Sequence, residues 1–166
     1  MGSANAKQKL IVKKQILSID QRFATGPAMG RFLIELKENK RIMANRCPKC
    51  GRHQLPPREV CAICRVRVED FVEVGPEGVL TSFDIVYYAS PDPLTGKSRK
   101  APYISCNVLL DGCEGNDTLW HELNDMELDK VKHGMRVRAV FAEERTGSIH
   151  DIKYFEIIDD KQDGGE

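Results

Sequence analysis

Cysteines are the residues of this chain whose types and spacing are most informative about chemistry. Four of the six occur as two Cys-x-x-Cys pairs, Cys47 with Cys50 and Cys61 with Cys64, and ten residues separate the pairs. Each pair predicts a tight turn that directs two thiolates toward one point, so two pairs supply the four sulfurs of a tetrahedral metal site. Because protein ligands then fill every coordination position, the spacing predicts a structural metal ion and not a catalytic one.

Zinc is the metal that this donor set favours, although iron binds the same four thiolates and the spacing does not separate the two metals. Disulfides are disfavoured in a cytoplasmic chain, and a redox Cys-x-x-Cys needs only one pair. Gly51 suits the turn that follows the first pair because it has no Cβ atom. Arg65 occupies the equivalent position after the second pair, which predicts a less favourable turn there.

The other two cysteines do not belong to a catalytic pattern. Cys106 lies among apolar residues of a predicted strand, which indicates a core residue, and Cys113 lies between acidic residues that raise a thiol pKa. The sequence has no Gly-rich phosphate loop, no Gly-x-Ser-x-Gly and no His-Glu-x-x-His motif. We therefore predict that the chain has no catalytic residues of its own.

A long segment at 89–102 carries three cations within an otherwise acidic half of the chain. Lys97, Arg99 and Lys100 are candidate ligands for a phosphate group, because clustered cations form charge-assisted hydrogen bonds with phosphate oxygens. An ordinary solvated loop accounts for the same pattern, and both interpretations remain open at this point.

Two kinds of periodicity surround the cysteine pairs. Before them, residues 31–38 predict a short amphipathic helix with Phe32, Leu33 and Leu36 on one face, and Thr25-Gly26-Pro27 is predicted to interrupt regular structure. After them, an alternation of period two predicts five strands and a small Greek-key barrel of OB type. The five predicted strands span 79–87, 103–110, 119–123, 133–141 and 151–158.

These patterns together predict a mainly β protein. We divide it into a basic N-terminal helical arm at 1–43, a four-cysteine zinc ribbon at 44–68, a five-stranded OB-type barrel at 69–158 and a disordered tail at 159–166.

Charge is distributed unevenly along the 166 residues. The chain has 25 basic and 25 acidic side chains, but residues 1–68 carry a net charge of +11 and residues 69–166 carry −11. An acidic barrel argues against binding of a nucleic acid backbone, although a single-stranded nucleic-acid module remains an alternative function. The sequence contains no apolar run of membrane-spanning length and no secretory signal, so we expect a cytoplasmic protein that does not contact a membrane.

Several of these stretches together resemble one known family. They are the helix FLIELKENK, the knuckle CPKCG, the element LPPREVC, and the barrel segments GVLTSF, APY and HGMRV. This set is similar to the OB-fold/zinc-ribbon family of acyl-CoA-associated proteins, over about residues 31–158. The family usually has Gly where this chain has Arg65.

The resemblance implies a role as well as a fold. It implies a zinc-binding accessory subunit of a thiolase, with Cys47, Cys50, Cys61 and Cys64 as the metal ligands and with the catalytic residues on the large subunit. Two copies of each subunit are expected, with coenzyme A or acyl-CoA near their interface. The N-terminal segment and the DPLTGKSRK loop look most like the family members that serve thiolytic cleavage of 2-benzoylsuccinyl-CoA to benzoyl-CoA and succinyl-CoA, in anaerobic toluene degradation. An accessory subunit of an acyl-CoA hydratase or dehydrogenase is the alternative.

Overall fold

The computed structural model describes residues 22–89, 91, 97–98, 100–114, 117–124 and 130–158. The predicted arm over 1–21, Arg99 and the tail at 159–166 lie outside these residues. The one α-helix of the described part is α1 (Gly26–Ile34). The strands are β1 (Ile42–Arg46), β2 (His53–Gln54), β3 (Asp70–Val74), β4 (Glu77–Val86), β5 (Tyr103–Leu110), β6 (Leu119–Leu123), β7 (Arg136–Phe141) and β8 (Ile152–Ile157).

Helix α1 begins earlier than the sequence predicts and continues into a π-turn at Glu35–Asn39. Thr25 precedes the helix and Gly26 has a left-handed φ of +76°, as the predicted break requires, but Pro27 lies inside the first helical turn. Proline is tolerated in the first helical turn, where its missing N–H would have no intrahelical acceptor. The predicted apolar face is confirmed, because Phe32 and Leu36 are fully buried.

A three-stranded antiparallel sheet follows, with the order β2-β1-β3. The central strand β1 ends one residue before Cys47, and β3 pairs with β1 along its whole length, from Ile42 opposite Val74 to Arg46 opposite Asp70. Residues 70–74 therefore pair with the strand that leads into the cysteine segment, and not with the barrel strands.

The remaining strands close into a barrel with the order β4-β5-β6-β8-β7. Neighbouring strands are antiparallel except β6 and β8, which pair in parallel at Leu123 and Phe155. The predicted five-stranded OB-type barrel is confirmed, and β5 and β6 have the predicted bounds. The last strand begins at Ile152 because a 3₁₀ turn precedes it, and the buried Asp151 carboxylate accepts the Thr146 and Gly147 N–H groups at 2.8 Å.

One continuous apolar core joins α1, the three-stranded sheet and the barrel. It contains Phe32 and Leu36 of the helical segment, Ile42 of β1, and barrel residues such as Leu80 and Phe155. The barrel and the base of the ribbon are thus packed against each other. No helix among the described residues is long and apolar enough to cross a membrane.

Candidate metal centre

The two Cys-x-x-Cys turns have nearly the same backbone geometry. In the first, the N–H of Gly51 donates to the carbonyl of Cys47 at 2.9 Å, and in the second, the N–H of Arg65 donates to the carbonyl of Cys61 at 2.9 Å. Gly51 has a φ of +71° and Arg65 has a φ of +55°. Each turn therefore requires a left-handed residue after its second cysteine, a conformation that glycine adopts readily and that costs arginine about 1–2 kcal/mol.

These turns bring the four sulfurs together. The Sγ atoms of Cys47, Cys50, Cys61 and Cys64 all lie within 4.8 Å of one another, and those of Cys50 and Cys61 are 3.9 Å apart. Cys47 and Cys61 are buried, whereas Cys50 is exposed. Four thiolates at this separation fit a single tetrahedral ion with metal–sulfur bonds of about 2.3 Å.

The thiols differ in acidity because they share hydrogen bonds within the cluster. The backbone N–H of Cys50 lowers the pKa of Cys47 to about 7. Hydrogen bonding to Cys50 and desolvation raise the pKa of Cys64 to about 12. Crowded thiolates repel one another, so full deprotonation of the cluster requires a bound cation to offset the negative charge.

A buried amide connects this cluster to the sheet. The side chain of Asn45 in β1 is fully buried, and its Nδ2 donates to the carbonyls of Arg58 at 2.6 Å and Val68 at 3.4 Å. Its Oδ1 accepts from the Arg58 N–H at 3.3 Å and from Gln54 Nε2 at 3.2 Å. One side chain thus ties together β1, β2 and both ends of the second cysteine turn. Asn45 was not predicted from the sequence, although an amide in an apolar strand next to a cysteine is a recognisable signal.

Apart from the sulfurs, the cluster has very little core of its own. The buried members of this second core are Cys47, Cys61 and Val68, with Cys64 and Val66 partly buried against them. Leu55, between the two turns, is buried in the main core and not in this one, so the turns themselves have too little apolar burial to be ordered by it. A metal ion held by the four cysteines would therefore supply more of the stability of the two turns than hydrophobic packing does.

The remaining cysteines lie in the barrel and not near this cluster. Cys106 is fully buried in β5, as predicted for a core residue, and its burial raises the thiol pKa to about 12. The pKa of Cys113 is raised to about 11, first by burial and then by the charge of Asp117, which is not one of the two acidic neighbours that the sequence analysis considered. Neither thiol is a reactive nucleophile near neutral pH.

Two of the three candidate phosphate ligands fall within the described residues. Lys97 and Lys100 are exposed in the segment that joins β4 to β5, whereas Arg99 lies outside the described part. Their role toward a phosphate stays a prediction.

Family models match two consecutive parts of the chain. The model for the rubredoxin-like zinc ribbon domain of ChsH2 matches residues 36–70, and the model for the C-terminal OB-fold domain of ChsH2 matches residues 71–142. The matched ribbon thus ends inside β3, and the matched OB domain covers the barrel through β7.

Similar proteins and structures agree with these matches. A DUF35 domain-containing scaffold protein of Methanocaldococcus jannaschii is 28% identical over 107 residues, which are 64% of this chain and 71% of that protein. A DUF35 family protein of unknown function from Sulfolobus solfataricus superposes with a TM-score of 0.56 at 25% identity, over 80% of this chain and 85% of the other. The Ltp2-ChsH2(DUF35) aldolase includes a chain that superposes with a TM-score of 0.58 at 24% identity, over 76% of this chain and 92% of the other.

Proposed function

The chain belongs to the ChsH2 (DUF35) family, in which a zinc ribbon precedes an OB-fold domain, and on that premise we propose that it is a non-catalytic accessory subunit of an enzyme that acts on acyl-CoA thioesters. The observation that carries this proposal is the similarity in fold to a chain of the Ltp2-ChsH2(DUF35) aldolase. The name of that complex pairs a ChsH2 protein with a second protein. By analogy, this chain would associate with a larger enzyme subunit that supplies the reactive groups.

The acidity of the thiols supports a non-catalytic role. Cys106 and Cys113 have pKa values of about 12 and about 11, so neither is a thiolate at neutral pH. Four clustered cysteines leave no open coordination position on a bound metal. Cys47, Cys50, Cys61 and Cys64 would hold Zn²⁺, and the ion would maintain the shape of the ribbon and take no part in the chemistry.

The finer proposal is that the partner is a thiolase large subunit. In this proposal the complex contains two copies of each subunit in the cytoplasm and cleaves 2-benzoylsuccinyl-CoA with coenzyme A to benzoyl-CoA and succinyl-CoA. Support comes from the resemblance of the charged N-terminal segment and the DPLTGKSRK loop to that branch of the family. Lys97, Arg99 and Lys100 would bind phosphate groups of the CoA, for which Lys and Arg are suitable ligands.

Co-expression with the candidate large subunit tests the proposal. We expect the two chains to co-elute at a fixed stoichiometry and the complex to cleave 2-benzoylsuccinyl-CoA, while each chain alone is inactive. Failure to co-elute with any acyl-CoA enzyme would overturn the accessory role. Co-elution with a hydratase or dehydrogenase, and not with a thiolase, would keep the accessory role and overturn the thiolase assignment.

The phosphate ligands require a separate variant. Replacing Lys97, Arg99 and Lys100 by Gln should raise the KM for CoA with little change in kcat, because a contact to a remote phosphate is equally strong in the ground and transition states. The matched control is Lys153→Gln, which removes a cation from the exposed side of β8. An unchanged KM in the triple variant would show that these cations do not bind CoA.

A further inference from the structure

The two cysteine turns share one backbone geometry but present different side chains to solvent. Lys49 lies at the tip of the first turn, where the second turn has Ile63. Gly51 occupies the left-handed position of the first turn, where the second has Arg65. Ile63 is 67% exposed, and Val60, which precedes the second turn, is 48% exposed. The second turn therefore offers large aliphatic side chains to solvent, and the first offers a charged one.

Arg65 is a residue that the second turn does not need for its geometry. Gly51 forms the same turn at the equivalent position without left-handed strain. Arg65 holds a φ of +55° instead, and its side chain is exposed. The guanidinium forms no hydrogen bond or ion pair with any residue that the structure describes. A strained residue whose side chain has no partner within the described chain is typical of a site that contacts another molecule.

Most of the exposed cations of the ribbon lack a neutralising carboxylate. Arg52 pairs with Asp117 at 3.8 Å. Arg67 lines a cleft beside α1 together with Arg31, Glu59 and Glu69, so the charges of that cleft balance. The other exposed cations of residues 46–69 form no ion pair with the described part of the chain, and they are Arg46, Lys49, Arg58 and Arg65.

A bound metal does not cancel this positive charge. Four thiolates around a divalent ion carry a formal charge of about −2, whereas the four unpaired cations carry +4. The ribbon therefore stays cationic around its exposed aliphatic side chains, in contrast to the acidic part of the chain that follows it.

Val60, Ile63 and Arg65 together form what we call the second-knuckle face. We propose that this face docks on the larger enzyme subunit, with Ile63 in an apolar depression and Arg65 against carboxylates at its border. Exposed aliphatic groups gain free energy on burial, and arginine is enriched among the residues that dominate protein interfaces. Its planar guanidinium binds a carboxylate through two parallel hydrogen bonds.

The composition of the face favours a protein over a polynucleotide as the occupant. Val60 and Ile63 are aliphatic and give no aromatic ring on which a base could stack. An acidic protein surface with an apolar centre matches both the aliphatic side chains and the cations. This inference rests on the accessory role proposed above, and it adds which part of the chain makes the contact.

Calorimetric titration of the zinc-loaded full chain with the co-eluting large subunit tests this proposal. Arg65→Gly and Ile63→Ser should each weaken the complex about tenfold, and Arg65→Glu about a hundredfold. Added salt should weaken the wild-type complex more than the Arg65→Gly complex, because the variant lacks one interfacial charge. The zinc affinity of Arg65→Gly should rise, since glycine relieves the left-handed strain. One substitution thus changes the two affinities in opposite directions.

The controls are matched in residue type and exposure. Lys153→Glu reverses a charge on the exposed side of β8, and Ile34→Ser removes an aliphatic side chain that is 60% exposed at the end of α1. Both should leave the affinity for the large subunit unchanged. Losses in the controls as large as those in the second-knuckle variants would contradict the assignment to this face.

Three further results would overturn the proposal and leave the accessory role intact. The first is a complex whose affinity is unchanged by Arg65→Glu and Ile63→Ser. The second is a fall in zinc affinity in Arg65→Gly, which would assign the arginine to the metal centre. The third is unchanged association with a raised KM for CoA, which would assign it to a phosphate of that ligand. Absence of any complex with the wild-type chain would overturn the accessory role and this proposal together.

Discussion

The cysteine ribbon and the barrel are stabilised by different means, although they share one chain and one boundary. The barrel closes around a continuous apolar core whose members are spread over all five strands. The knuckles have a small core of their own, made of Cys47, Cys61 and Val68, and only Leu55 between them belongs to the main core. The four clustered sulfurs and the Asn45 hydrogen bonds are the other contacts that hold them. A short segment can therefore hold a defined shape without a core, provided that a metal and a few buried polar contacts replace it.

Loss of the metal should distinguish the stability of the ribbon from that of the barrel more clearly than any other change. Cys61→Ser removes a buried candidate ligand, and structural zinc is worth about 10–16 kcal/mol in small zinc-finger peptides. We expect zinc content to fall and amides over 47–68 to lose their exchange protection, while amides of β4 to β8 stay protected. Metal analysis and hydrogen exchange measure both effects. Cys113→Ser is the matched control and should keep a full complement of zinc, because Cys113 is not in the cluster.

A cavity in the barrel should have the converse effect. Phe155 is fully buried where β8 meets β6 and β7, so Phe155→Ala should lower the free energy of unfolding by about 3–5 kcal/mol. The zinc content of the protein that remains folded should not change. Denaturant titration with metal analysis checks this, and a loss of zinc from the folded fraction would contradict the independence of the two regions. Lys153→Ala on the exposed side of the same strand is the control.

The hydrogen bonds of the buried Asn45 side chain, which we call the Asn45 clasp, should have the next largest effect. Asn45→Ala leaves the Arg58 N–H, the Arg58 and Val68 carbonyls and Gln54 Nε2 without this partner, at a cost of about 1–3 kcal/mol. Because these groups belong to the ribbon, we expect faster zinc release to a chelator. The thermal transition of the barrel should shift less than in Phe155→Ala. Unchanged zinc release would show that the clasp does not support the metal site.

The two knuckles allow a paired test within the ribbon. Gly51→Ala should destabilise the metal-bound state by about 1–2 kcal/mol, because alanine disfavours a φ of +71°. Arg65→Gly should stabilise it by about 0.5–1 kcal/mol, since relief of the left-handed strain exceeds the added freedom of the unfolded chain. Zinc affinity in a competition assay measures both variants, and effects of equal sign would refute the equivalence of the turns.

The smallest expected effect lies on the barrel surface. Two hydrogen bonds from Arg136, at 2.7 and 2.8 Å, lower the pKa of Asp111. A carboxyl whose pKa is lowered by folding contributes stability above its unfolded pKa of about 4, and this stability is lost as the pH falls through the folded pKa. Asp111→Asn should cost less than about 1 kcal/mol at pH 7, because the pair is exposed, and less still at pH 2. Urea titrations at the two pH values check the difference.

Local patterns were enough to predict much of this fold. The alternation of apolar and polar residues predicted the bounds of β5 and β6 correctly. The apolar positions within residues 31–38 likewise identified the buried face of the helical segment. The start of α1 was misplaced because a Gly-Pro pair breaks a helix in its interior but is tolerated in its first turn. The pairing of β3 with β1 was not predictable, because a strand of period two carries no information about its partner.

The sequence by itself determined that four cysteines at metal-ligand spacing precede a five-stranded β region, because the spacing of ligands and the alternation of apolar residues are local properties of the chain. Only the tertiary structure decided how these parts are joined. Asn45 meets Arg58 and Val68, Glu59 meets Gly26, and β6 lies parallel to β8 because segments distant in sequence fold against one another. The Asn45 hydrogen bonds depend on such long-range contacts, and no short pattern encodes them.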